Sequence, residues 1–267
     1  MSSCIRVRSC LLLLVMTPAL MEAQERNLKG VLPLHVSVHV ADARVVGDTT
    51  TIDYMVENVR AGGEDFWGLL VATPATVVRM PAPATLQWGI HPQYRKQPIV
   101  GWMLYEDTLV RPGHTTPPLR LVARGIPDIV RYWAVPDLDA NPPVASDVDD
   151  GSDDYITFSD SGVTVGVVPV ASGATSAGLA ARLRTLLGRS CQELGWISQN
   201  GVCHSLDVKL ANAQDAIAGG DLAQARNVIT AFANELDAQH GDQPGKHVND
   251  SAYALLSANA SYLLSRL

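Results

Sequence analysis

The sequence predicts an α+β protein of two units, an N-terminal antiparallel β-sandwich followed by a small antiparallel helical bundle. Three observations carry this. Up to residue 170, short runs of alternating apolar and polar residues are separated by Pro, Gly, Asn and Asp. Beyond residue 178 the chain is rich in Ala and Leu at helical spacing. Between the two lies "ASGATSAG", residues 171–178, small and polar as a linker should be. A chain of 267 residues allows one or two such units. The expected organisation is a signal peptide over 1–23, the sandwich over 24–170, the linker over 171–178 and the bundle over 179–267.

The N-terminus reads as an export signal. Arg6 and Arg8 precede the apolar run from Leu11 to Met16, and "TPALMEAQ" follows with small and turn-forming residues. That run is far shorter than the roughly 20 residues a membrane helix needs. Cleavage is expected after Ala23. Cys4 and Cys10 lack the Leu-x-small-Cys context of a lipid-anchored signal, and no later segment is long and apolar enough to span a bilayer. The expected location is therefore outside the cytoplasm, extracellular or periplasmic. Loss of Arg6, Arg8 and Glu22 with the signal takes the net charge from −7 to −8. Such a surface repels nucleic acid and anionic lipid, so neither is an expected partner.

The strands follow in order. "LHVSVHV" places Val36, Val38 and Val40 on one face and His35, Ser37 and His39 on the other. "TTIDYMVEN" alternates through Ile52, Tyr54 and Val56. "DFWGLLVAT", "IVGWMLYED", "LRLVARG" and "DIVRYWAVP" are further β-rich runs, and "YITFSD" and "VTVGVVPV" close the set around an "SDSG" turn. About eight short strands without helices between them indicate a sandwich or barrel. Trp67, Trp102, Tyr132 and Trp133 are expected in or beside its core. Two stretches read as long loops, where function tends to lie: Pro-rich 81–98, with Trp88, His91 and Tyr94, and acidic 137–154.

The helices come next. Leu179, Leu183, Leu186, Leu187 and Leu194 form the stripe of the first. Ser205 is the expected N-cap of the second, with Leu206, Leu210, Ala213 and Ile217 facing inward and Gly219–Gly220 as its stop. Asp221 caps the third, whose stripe is Leu222, Ala225, Ile229, Phe232 and Leu236. The fourth, in "NDSAYALLSANASYLLSRL", faces inward through Leu255, Leu256, Leu263 and Leu264. Short connections favour antiparallel neighbours.

Without the signal, two cysteines remain, Cys191 and Cys203. An even count in an exported chain reads as a disulfide. It would staple the end of the first helix to the start of the second around a turn with Gly195, Asn200 and Gly201. The rival reading is a metal pair completed by His204, but three ligands at Cys-x₁₁-Cys-His match no zinc spacing.

One stretch adds a resemblance. "GWI" at 195–197, "NG" before "SL", "KL" with Ala213 three residues on, "GD" with Ala225 four residues on, and "AF" at 231–232 coincide with the helical punctuation. Residues 195–266 resemble the FIMAH domain, a small helical module at the C-terminal end of many bacterial secreted and cell-surface proteins. The resemblance implies an extracellular accessory role and assigns no chemistry. Members usually lack the two cysteines, so the staple is a departure from the family.

No motif for catalysis appears. Gly-x-Ser-x-Gly, His-Glu-x-x-His and Gly-x-Gly-x-x-Gly are absent. His35 and His39 lie about 13 Å apart along a strand, too far to share one ion. "DVDDGSDD" offers oxygens for calcium, but counted from Asp147 it has Gly151 fifth and Phe158 twelfth, off the EF-hand pattern. "GDQPGKH" is one residue short of a phosphate loop and carries His247 in place of Ser or Thr. Glu57, Glu64, Glu106 and Asp107 near strand ends are the carboxylates from which a glycosidase pair would come. Asn249-Asp250-Ser251 and Asn259-Ala260-Ser261 fit the glycan-acceptor triplet.

The sequence thus leads to a secreted, non-enzymatic protein without cofactor or metal, with a cell-surface protein or polysaccharide as partner. The alternative is a carbohydrate-binding or carbohydrate-active protein with Trp88, Tyr94 and Trp102 as its ligand surface.

Overall fold

The computed structural model describes residues 34–59, 61, 63–83, 88–92, 98–104, 109–137 and 159–267. The signal peptide, Tyr94, Glu106, Asp107 and all of the acidic loop after Asp137 lie outside these residues, as does the side chain of Trp88.

Among the described residues, nine strands form two antiparallel sheets. The first has the order β1 (Val36–Val46), β2 (Thr49–Asn58), β7 (Leu119–Arg124), β4 (Thr76–Arg79). The second has β5 (Trp88–His91), β6 (Ile99–Leu104), β3 (Phe66–Ala72), β8 (Ile126–Pro136), β9 (Asp160–Val168). Alternation decides the inner faces. Ile52, Tyr54 and Val56 of β2 meet Val100, Trp102 and Leu104 of β6, all fully or almost fully buried. Tyr54 spans the two sheets. Its ring lies edge-on to Trp102 at 5.7 Å, and its hydroxyl donates to the Val165 carbonyl of β9 at 2.8 Å.

The outer face of the second sheet is apolar too. Leu70, Ile99, Met103 and Val135 are buried there, with Trp67 and Trp133 beside them. Two glycines explain how these side chains lie flat. A Cβ at Gly68 would collide with the Met103 sulfur, and one at Gly101 would strike the Leu70 side chain.

Three local expectations change. The "SDSG" stretch is no turn: Asp160–Gly162 belong to β9 and pair with β8, and Gly162 is needed because the Tyr132 ring lies against its Cα. The loop expected over 81–98 contains β5, four residues paired with β6 and too short to show a period. β4 is an edge strand whose residues are exposed or half-buried, so no alternation marks it.

Four helices follow: α1 (Ser176–Gln192), α2 (Asn200–Ala218), α3 (Leu222–Gln239) and α4 (Asp250–Arg266). α1 starts inside the stretch read as linker, because the Thr175 hydroxyl caps it by accepting from Gly178 N–H at 3.1 Å. Asp221 and Asn249 cap α3 and α4 in the same way. α2 begins five residues before Ser205, so Ser205 is not its cap. The Ser205 hydroxyl instead donates to Glu235 of α3 and accepts from Lys209, whose ammonium also holds Glu235 at 2.6 Å. Val202, ahead of the expected stripe, is buried in the α2 core face. Gly220, with φ +77°, turns the chain into α3, and Leu222 at that corner is exposed.

α1 and α3 each touch α2 and α4, which puts α2 diagonally across from α4. α4 packs against β1, β8 and β9. Ten of its seventeen residues are buried, on more than one face, as a helix between two partners requires. The apolar residues of sheets and helices accordingly form one continuous core. Among the described residues no helix is long and apolar enough to cross a membrane.

Candidate functional site

Two concave places stand out: the junction of sheets with helices, and the groove beside the disulfide. At the junction β1 carries a bulge between Val40 and Asp42. Opposite it, His240 Nε2 lies 2.7 Å from Asp250 Oδ1, and its ring stacks on Tyr253 at 4.0 Å. The Tyr253 hydroxyl donates to Asp237 at 3.2 Å; burial, then that bond, raises its phenol above the ordinary value. The cavity between these groups and Asp42 holds about 60 Å³. That is room for water, far below the several hundred Å³ of an organic ligand site.

On the second sheet, the Pro127 carbonyl accepts from Asn259 Nδ2 and from Arg182 Nη2, each at 3.1 Å. Arg182 also pairs with Asp128 at 2.8 Å. β3 pairs with β8 only over 132–136, so this end of β8 extends past it, and the helices supply partners there. Asn259, the acceptor position of one glycan triplet, is thus buried and structural, and Asn249 of the other is a helix cap. Arg182 does not stand out in the sequence, and Asn259 stands out there only as a glycan triplet, since an Arg or Asn inside a helical period carries no mark of what it will face.

The disulfide joins Cys191, in the last turn of α1, to Cys203, in the first turn of α2, with Cα atoms 6.1 Å apart. Cys203 is therefore inside α2, not ahead of it. Both cysteines line an open groove of about 300 Å³ between the two helices. His204 and Asp207 stand on its rim with Gln192 and Asn200. Asp207 holds Arg184 of α1 in a two-pronged pair, at 2.6 and 2.9 Å, and the guanidinium keeps its carboxyl below the ordinary range.

The expected ligand surface does not assemble as expected. Trp102 is 0% exposed, because its β6 position faces the opposite sheet, and it is withdrawn from that surface. Trp88 sits on the edge strand β5, and Tyr94 lies outside the described residues. His35 and His39 are exposed and stand singly beside Asp160 (3.6 Å) and Glu57 (3.9 Å). "GDQPGKH" forms the α3–α4 connection, where Val248 bridges back to Ile197 and His240. Among the described residues no three His, Cys, Asp or Glu side chains gather as metal ligands.

No curated protein matches this chain. A family does match its helical part, and more widely than the resemblance at 195–266, since α1 is included. The family model of the FIMAH domain matches residues 171–265, from the turn before α1 to the last turn of α4.

Proposed function

We propose that this is an exported binding protein without catalysis, in which sheets and helices act as one rigid body toward a cell-surface protein or polysaccharide. The observation that carries the reading is the FIMAH match over 171–265 in a chain with an intramolecular disulfide, both consistent with life outside the cytoplasm. Support for the non-catalytic side of the reading comes from the two concave places described above: one is water-sized, and in the other the rim carboxylate Asp207 is neutralised by Arg184. The carbohydrate alternative keeps only the edge-strand position of Trp88 among the described residues.

Fractionation tests export: the mature chain, starting at Gln24, should appear outside the cytoplasm with both cysteines inert to alkylation. Residues 1–23 retained in a cytoplasmic pool would sink it. A glycan array separates the two partner classes. Binding lost on Trp88→Ala favours the sugar reading, and a clean negative favours a protein partner. Release of reducing ends from any array-positive polysaccharide would overturn the non-catalytic reading.

A further inference from the structure

The disulfide lies at the surface of the bundle and not in its interior. Cys191 and Cys203 are half-buried in the wall of the α1–α2 groove, whose lining comes from these two helices alone. Gly188 lies one turn before Cys191, and Gly201 two residues before Cys203. A methyl group added at either glycine would meet nothing within 4 Å beyond its own stretch of helix, so the space above both is open. The groove thus has no side chain at position 188 beside Cys191, and reaches both sulfurs between the rim residues Gln192, Asn200, His204 and Asp207.

The two sulfurs are chemically unequal. Cys191 stands at the carbonyl end of α1, where the helix dipole disfavours negative charge. Cys203 stands in the first turn of α2, the end whose amides favour a thiolate. That end is also less shielded than those of the other helices. Gln199 makes no side-chain capping bond, whereas Thr175, Asp221 and Asn249 each cap theirs. The one carboxylate on the groove rim, Asp207, is tied to Arg184. In thiol–disulfide exchange the sulfur that leaves is the one whose thiolate is better stabilised.

We propose that the Cys191–Cys203 bond is a redox modification site of the folded protein, opened by a dithiol that enters the α1–α2 groove. A thiolate of the reductant attacks Cys191 Sγ. A new S–S bond forms there, the Cys191–Cys203 bond breaks, and its electron pair leaves on Cys203 as a thiolate. The second thiolate of the reductant then attacks its own sulfur in the mixed disulfide and releases Cys191. The reductant is oxidised to a disulfide, the protein is reduced by two electrons, and the two protons of the dithiol end on the cysteines. The reverse sequence recloses the staple.

The test uses the full oxidised chain under native conditions. With dithiothreitol and quenching by alkylation, opening should be first order in reductant, with no plateau. With glutathione, peptide mapping should find the adduct on Cys191 and the alkyl group on Cys203. Two variants separate direct attack from attack after unfolding. Gly188→Ala stabilises the helix but leaves the groove open, and should open at the wild-type rate. Gly188→Leu fills the groove and should open about tenfold more slowly, since exchange depends on access. A rate that saturates with dithiothreitol, an adduct chiefly on Cys203, equal slowing in both variants, or no slowing in the leucine variant would each overturn the proposal.

Discussion

At the residue scale, the phenols of Tyr54 and Tyr132 link the core to pH. Burial pushes Tyr54 above its ordinary value, and burial with the nearby Asp160 charge pushes Tyr132 up to about 12. The unfolded phenols titrate near 10. Both neutral forms are favoured by the folded state, so their contribution is complete below pH 10. It is lost as pH rises from there through the folded values. Denaturant titrations should show stability constant from pH 8 to about 10 and falling above it, and Tyr54→Phe should flatten that fall. An unchanged slope in that variant would refute the assignment. Trp102→Ala should destabilise by about 3–5 kcal/mol, as truncation of a large, fully buried aromatic does. A loss under about 1 kcal/mol, read by urea unfolding, would mean the core is not closed there.

At the scale of elements, the helices were far more legible than their partners. Leucine stripes, cap residues and the Gly219–Gly220 stop mark four helices in the sequence, because a period of 3.6 over seventeen or more residues is a strong signal. The error at Ser205 has a simple cause. A serine before an apolar run looks like a cap, but Val202 extends the apolar stripe by a turn, and the buried side chain outweighs the missing cap bond. β4 and β5, four residues each, are below the length at which alternation can be read. Of the candidate site, the cysteine pair was legible from count and context. The burial of Trp102 was not, because alternation says which residues share a face and not which face meets another sheet. The staple itself closes a short loop, with a sequence separation of 12, between α1 and α2. Its removal in Cys203→Ser should lower stability by about 2–4 kcal/mol in the chain-entropy account. Urea titration of the variant beside the oxidised protein checks this.

At the scale of the molecule, the decisive fact is the continuous core. A small polar stretch at 171–178 suggests units that move apart, yet α4 is packed between the bundle and β1, β8 and β9. Asn259 and Arg182 fix the contact at the Pro127 carbonyl. Sheets and helices should therefore melt in one calorimetric transition. Asn259→Ala, which strips one buried donor, should cost about 1–3 kcal/mol and lower the melting temperature of the whole protein. Two resolved transitions, only one of them moved by this variant, would show the units to be independent.

The position of α4 also bears on the order of events during synthesis. Every strand leaves the ribosome before α4 does, so the side of the sandwich formed by β1, β8 and β9 stays uncovered until nearly the whole chain described here has emerged. The helix that seals the core is thus the last element made, and the fold is complete only when it has docked.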